Sequence, residues 1–286
     1  MEVNQIIKKL DKIENLPTLP SIAMEVNKLL QDHDTSIKEL SMVIEKDQTI
    51  VSKILKLVNS AFFGLSSKVS NIPHAVMLLG FNAIRNAVVS VSVINAFDNK
   101  SSSGDFDITE FWSHSVSVAV TSRALAEKSR RHSPDECFIA GLLHDVGKLV
   151  LCQYLSEFFN RVLETKKGDS FLSFYEAEKK SIPIDHAQIG GFLSNKWKLP
   201  VGLMDTIRMH HRIRDSAQDL NLLYIVQTAN IISNNQVVNG EINLERAELH
   251  PDAARALAEP LENIKSWYPQ IASEIESACK FFLEEL

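Results

Sequence analysis

The sequence predicts an all-α protein, with an N-terminal helical subdomain over residues 1–100 packed on a second helical bundle over 106–286. Three observations predict it. Apolar residues recur at three-to-four spacing along nearly every stretch, which is the period of a helix with one buried face. Helix-start signals stand before several of these stretches. No pair of alternating stretches convincingly makes two paired strands.

Ile6, Leu10 and Ile13 form the first stripe, ended by Leu16-Pro17-Thr18-Leu19-Pro20, whose prolines disfavour helix. Ile22, Val26, Leu29 and Leu30 make the next. Ser36 and Glu39 form a capping box ahead of Ile37, Leu40 and Ile44. A further helix carries Ile50, Ile54, Leu55 and Val58 and ends near Asn59-Ser60, followed by a buried turn at Ala61-Phe62-Phe63-Gly64. Ile72-Pro73 opens a short helix that ends at Gly80. Residues 81–97 are apolar almost all round; their β-branched content permits strand, but their length without turn signals favours a buried helix.

The run 98–105, polar throughout with three serines in a row, reads as a linker and a subdomain boundary. Beyond it a long helix covers 111–127, with Trp112, Val116, Ala119 and Leu125 inward. Ser133-Pro134-Asp135-Glu136 is a strong helix start. Its helix carries Phe138, Leu142 and the pair His144-Asp145, and another covers about 149–166. Ile182-Pro183-Ile184-Asp185 leads into a helix with His186, Ile189 and Leu193. After Leu199-Pro200 another helix ends on Met209-His210-His211. Residues 222–232 are apolar and helical, and 234–240 make a turn. Over 261–286 a stripe of Leu261, Ile264, Trp267, Ile271, Ile275 and Phe282 reads as a docked terminal helix, with a partner-binding face as the alternative.

Composition narrows the function classes. With 45% hydrophobic and 23% charged residues in 286, the chain can build a proper core. A net charge of −6 argues against broad electrostatic capture of DNA or RNA. The short basic run of Lys128, Arg130, Arg131 and His132 reads as a solvated helix end. Cys137, Cys152 and Cys279 have no paired spacing, which suits buried thiols in a reducing compartment. The first residues begin an amphipathic pattern unlike a signal peptide, and no apolar run approaches the roughly 20 residues of a membrane span. The expected location is the cytoplasm, with neither nucleic acid nor membrane as partner.

Gly141-Leu142-Leu143-His144-Asp145-Val146-Gly147-Lys148 places an adjacent His and Asp inside an apolar run. Burying that pair is costly unless something satisfies both side chains. A cation held between packed helices would do so, and His114, His186, His210 and His211 also lie on or at the ends of predicted helices. Adjacent helical residues point about 100° apart, so His144-Asp145 or His210-His211 meets one cation only where other helices close in. The glycines at 141, 147, 190 and 191 would allow that approach. Imidazole with carboxylate suits iron, manganese, zinc or nickel rather than calcium. Spacing alone leaves three alternatives: a divalent transition-metal site, satisfied core histidines, and a helix C-cap at His210-His211. His33, His74, His132 and His250 are isolated near polar or turn residues and read as structural.

These residues together resemble the HD superfamily of metal-dependent phosphohydrolases, which includes cyclic dinucleotide phosphodiesterases. The closer resemblance is to its HDOD group, the HD-related output domains of bacterial signalling. It is carried by Leu16-Pro17-Thr18-Leu19-Pro20, by Leu57-Val58-Asn59-Ser60-Ala61-Phe62-Phe63-Gly64 and by Ile72-Pro73-His74-Ala75-Val76 with Leu79-Gly80. Phe111-Trp112-Ser113-His114-Ser115, residues 141–148, Asp185-His186 with Gly190, Trp197-Lys198-Leu199-Pro200 and His210-His211 continue it, from about residue 15 to 215. The resemblance implies an HD-like helical bundle and a regulatory role through binding signalling proteins or a nucleotide or cyclic dinucleotide; a homo-oligomer is left open. It implies His114, His144, Asp145, His186, His210 and His211 as metal ligands, and Lys148, where related enzymes place a phosphate-facing lysine, as ligand-binding.

Departures from the pattern bear on activity. The late Asp of the catalytic enzymes is replaced by Asn230 in Thr228-Ala229-Asn230, leaving Asp145 as the one anion among neutral imidazoles, although Asn230 still offers an oxygen to a ligand. The Gly-Tyr-Pro element of the cyclic dinucleotide enzymes is absent, and the opening Asp-Pro reads Asp47-Gln48. No catalytic residue is therefore assigned; in an active enzyme they would be Asp145 and Lys148. The rival expectation is a metal-dependent phosphohydrolase, and the third a scaffold whose histidines bond only to protein.

Overall fold

The computed structural model describes residues 3–13, 16, 20–30, 32, 34–59, 65, 67–97, 106–235 and 249–283. Every regular element among them is a helix, and none is a strand. The first five are α1 (Val3–Asp11), α2 (Ser21–Leu29), α3 (Ile37–Ile44), α4 (Gln48–Val58) and α5 (Ile72–Phe97). The expected linker at 98–105, the turn at 61–64, residues 236–240 of the turn expected at 234–240, and Pro17, Thr18 and Leu19 lie outside the described residues; Asn234 is not in a turn but ends the helix that begins at Leu220.

Local sequence sets these elements. Ile6 and Leu10 of α1 and Ile22 and Val26 of α2 are buried, as their spacing predicts. The capping box before α3 is formed: Glu39 N–H donates to Ser36 Oγ at 3.2 Å, and Ser36 N–H to Glu39 Oε2 at 2.8 Å. Asp47 caps α4 by accepting from the backbone of Thr49 and Ile50. At the other end of α4, the Asn59 side chain clamps Val69, donating to its carbonyl and accepting from its N–H, both at 2.7 Å.

α5 bends at Gly80, whose φ of 83° and ψ of 168° belong to a region essentially reserved for glycine. The expected stop at Gly80 is thus a kink. By length and composition the 26-residue α5 could cross a membrane, against the expectation that no segment approaches that length. Its apolar surface is instead core: Ile84, Val88 and Val93 are fully buried, and the helix packs on α2, α3 and α4.

The remaining helices are α6 (Ile108–Ser129), α7 (Pro134–Leu143), α8 (Val146–Tyr154), α9 (Ser156–Gly168), α10 (Phe174–Ser181), α11 (His186–Lys196), α12 (Val201–Met209), α13 (Leu220–Asn234), α14 (Pro251–Ala256), α15 (Ala258–Glu262) and α16 (Ile264–Leu283). α6 is central, packed against α7, α13 and α16. Two expectations are corrected here. His144-Asp145 does not lie within a helix: α7 ends at Leu143, and Asp145, at φ −100° and ψ 6°, is the residue on which α8 begins. The helix expected over 149–166 is two helices broken at Leu155. In addition, α10 was not anticipated. α16 is docked, with Ile264, Trp267, Ile271 and Phe282 buried and Phe282 stacked on Phe138 of α7.

Gly147 sets how closely α8 and α11 approach. A Cβ there would lie 1.9 Å from the His186 carbonyl oxygen, a clash with backbone that no rotamer relieves. A Cβ at Gly141 would lie 2.8 Å from Cα of Ala119, so α7 meets α6 at backbone contact. These contacts bring α6, the α7–α8 junction and α11 around one point.

Candidate functional site

At that point all six predicted ligands come together. The donor atoms of Asp145, His186, His210 and His211 lie within 4.8 Å of one another, as do those of His114, His144 and Asp145. Asp145 belongs to both sets. Its Oδ1 is 2.9 Å from His186 Nε2 and 3.5 Å from His210 Nε2; its Oδ2 is 3.4 Å from His144 Nε2 and 3.7 Å from His114 Nε2. His186 Nε2 is also 3.3 Å from His210 Nε2 and 3.0 Å from His211 Nε2. His144, Asp145, His186 and His210 are buried, while His114 and His211 are partly exposed.

The three buried rings are aimed by their outer nitrogens. His144 Nδ1 lies 2.7 Å from the Gly141 carbonyl and His210 Nδ1 2.9 Å from the Ile207 carbonyl, each a residue three positions back at a helix end. A carbonyl only accepts, so each Nδ1 carries the proton and each Nε2 turns a lone pair inward. His186 Nδ1 meets Glu178 Oε2 at 2.6 Å, and its backbone N–H donates to Oε1 of the same carboxylate at 2.9 Å. An outer hydrogen bond that fixes ring and tautomer is the arrangement found around metal-bound histidine.

Glu178, on α10, is the functional residue missed in the sequence, and it corrects the expectation that Asp145 is the pocket's one anion. It is fully buried. The available signal was the capping box Ser173-Glu176, which is formed and starts α10. Glu178 then follows Phe174 by four residues, on the same face.

Lys148 reaches back to Asp145, with Nζ 2.5 Å from Oδ2 and 5.3 Å from the Phe174 ring centre. Tyr175 stacks on His211 at 4.2 Å and walls the partly exposed side. Asn230, on α13, is buried close to His114, and its Oδ1 accepts from Asn234, so it stands behind a ring of the cluster. The histidines read as structural lie elsewhere. His132 pairs with Asp219 at 2.7 Å, His250 caps α14, and His74 sits in the first turn of α5. His33 is outside the described residues.

Electrostatics divides the rings. Burial lowers His114 to about 3 and His210 to about 4, the nearby Asp145 only partly opposing it. Burial, His210 and His186 likewise push His211 down. His186 goes the other way: burial would lower it, but Glu178 and Asp145 outweigh that and raise it to about 9. Burial would raise Asp145, but His144, Lys148 and His186 hold it well below the usual carboxylate range. The pocket therefore sets the carboxyl groups of Asp145 and Glu178 against Lys148 and a His186 whose affinity for a proton is raised.

The donor set fits a divalent transition metal. His144 Nε2 and Asp145 Oδ1 are buried without a hydrogen-bond partner among the described residues, the latter close to His186 but not aligned with it. Imidazole nitrogens 3.0–3.3 Å apart repel as bare lone pairs unless a proton or cation lies between them. A cluster of this kind can hold either.

An all-helical chain with histidines and an aspartate converging from separate helices is HD-like in architecture. The same fold is found in a Shewanella amazonensis SB2B protein provisionally named a phosphohydrolase, at 22% identity, covering 96% of this chain and 97% of that one with a TM-score of 0.76. It recurs in a Marinobacter aquaeolei VT8 protein provisionally named for signal transduction, at 19% identity, covering 99% of this chain and 61% of that one with a TM-score of 0.70. An uncharacterized Treponema pallidum (strain Nichols) protein is 26% identical over 77% of this chain; the chain spans 42% of that relative's length. The chain belongs to the HDOD domain family, whose model matches residues 16–213.

Proposed function

We propose that this chain is a regulatory module of bacterial signal transduction that acts by binding a protein partner or a nucleotide-type ligand, without turnover. One observation carries the reading: Asp145, the one carboxylate among the described residues that faces the inner ring nitrogens, is already held by Lys148, Glu178 being bound to the outer nitrogen of His186, and the late acid position is the amide Asn230. Two carboxylates and two internal cations leave little negative charge for the two metal ions and phosphate of a hydrolytic site. The donor set is still able to hold one iron, manganese, zinc or nickel ion through Asp145, His186, His210 and His211, with His144 and His114 beside it. Such an ion would order α6, the α7–α8 junction, α11 and α12 around one point.

A second reading, a metal-dependent phosphohydrolase, is favoured by the unpartnered His144 Nε2 and Asp145 Oδ1. In it a bound ion would supply an acidified water, and Lys148 and His211 would orient phosphate oxygens at the partly exposed side. Metal analysis and assay of the purified chain separate the readings. Cyclic dinucleotides and nucleoside phosphates, with added manganese or iron, should remain unhydrolysed. Turnover that disappears in Asp145→Ala and persists in a surface variant such as Lys280→Ala would overturn the binding-module reading.

A further inference from the structure

A second cavity, of about 530 Å³, lies where the N-terminal helices meet α7, α12 and α13. Its size is that of a small-molecule site. Its walls are apolar, from Val89, Ile139, Leu203 and Leu222, and it is edged by the amides of Asn27, Asn86 and Gln218. Asn27 Nδ2 is buried and has no hydrogen-bond partner among the described residues. The charged lining groups are matched within the protein: Arg85 lies 3.5 Å from Glu136, and Asp219 2.7 Å from His132. Each charged lining group thus has a partner within the protein, and the cavity presents apolar faces and side-chain amides that both donate and accept, of which Asn86 already donates to the Asp135 carbonyl at 2.8 Å.

We infer that this cavity binds an uncharged planar heterocycle of the nucleobase type, and that its occupation is communicated to the histidine pocket. A base has two apolar faces and an edge of alternating donors and acceptors, which suit these walls and these amides; a guanidinium plane such as that of Arg85 also stacks on a base. The route follows from the helices. α7 meets the cavity at Glu136 and Ile139 and is followed directly by His144; α12 meets it at Val201, Gly202 and Leu203 and is followed directly by His210. At 1.5 Å per residue these separations are about 8 Å from Ile139 to His144 and about 11 Å from Leu203 to His210. α13 meets it at Asp219 and Leu222, and its Gln227 then donates to the His210 carbonyl at 3.3 Å. A ligand that shifts the starts of three rigid helices shifts the rings at or beside their far ends. The communication half rests on the histidine pocket being a binding site; the cavity half does not.

The test uses the full chain, labelled with nitrogen-15 histidine, titrated with adenosine, guanosine, cytidine and uridine. Calorimetry reads binding, and the ring resonances of His144 and His210 read communication; neither needs a metal, so failure of the metal reading leaves both intact. Val201→Trp fills the mouth from a side chain that is 49% exposed, and Asn27→Leu removes the unpartnered amide. We expect a nucleoside to bind and move both ring signals, each cavity variant to weaken it by about tenfold or more, and the exposed-surface variant Lys179→Ala to leave binding unchanged. Three results overturn the inference: no nucleoside binds, binding survives Val201→Trp but is lost in Asp145→Asn, or binding leaves both rings unmoved.

Discussion

Glu178 holds His186 twice, by the ring Nδ1 at 2.6 Å and by the backbone N–H at 2.9 Å, with both residues fully buried. One carboxylate thus fixes the start of α11 and the tautomer and charge of the ring that faces Asp145. Glu178→Ala would leave both donors buried and unmet, and should cost about 3–5 kcal/mol in urea unfolding, the usual penalty for breaking a buried pair. Glu178→Gln keeps an acceptor and should cost less. Equal effects from both variants would mean that the charge, not the hydrogen bonds, is what matters.

Lys148 competes with any cation for Asp145. Lys148→Met should lower the stability of the metal-free protein, because Asp145 loses its closest cation. It should also raise the affinity for Mn²⁺ or Zn²⁺ by about tenfold, roughly 1.4 kcal/mol. Thermal melts with and without metal read both effects, and an unchanged or weaker affinity would contradict the competition.

Acid should oppose metal binding. His186 keeps its proton up to about pH 9, and a metal needs the neutral ring, so binding at pH 7 must expel that proton. Affinity should rise by about tenfold per pH unit between 6 and 8, with about one proton released per ion, measurable by calorimetry in buffers of different ionisation heat. In the metal-free chain the raised value works in reverse: its stabilising contribution is full below the ordinary 6.5 and fades as the pH climbs to about 9. A pH-independent affinity would show that His186 is not a ligand.

Gly147→Ala should separate α8 from α11, since its Cβ would fall 1.9 Å from the His186 carbonyl oxygen. A loss of about 3 kcal/mol or more in denaturant unfolding is expected, at the upper end for overpacking. Gly168→Ala, where a Cβ meets nothing within 4 Å, is the control and should be near neutral.

Most of this architecture was legible because burial leaves a periodic trace. The stripes of α1 to α4, the Ser133 start of α7 and the docking face of α16 each follow from residue spacing, whereas Gly80 marked a kink rather than the expected stop. So did the six pocket residues, once motif order supplied what spacing could not: which helix ends converge. Glu178 was not legible. It stands among Glu176, Lys179 and Lys180 in a stretch where no helix was anticipated, and what buries it is the packing of α10 on α9 together with its bonds to His186 at the start of α11. The α7–α8 break at His144-Asp145 was hidden for a related reason: the run is apolar on both sides, so no turn residue marks a bend made to point two polar side chains inward. The buried helix expected after Gly80 is present, and α5 reaches membrane-like length only because it runs on across the Gly80 kink from the short helix before it.

The double membership of Asp145 has a consequence for stoichiometry. A first ion seated with His186, His210 and His211 would spend the single inward carboxylate, so a second, approaching His114 and His144, would meet neutral rings and an existing positive charge. Loading should therefore stop at one equivalent, with the far pair of imidazoles left to receive something other than metal.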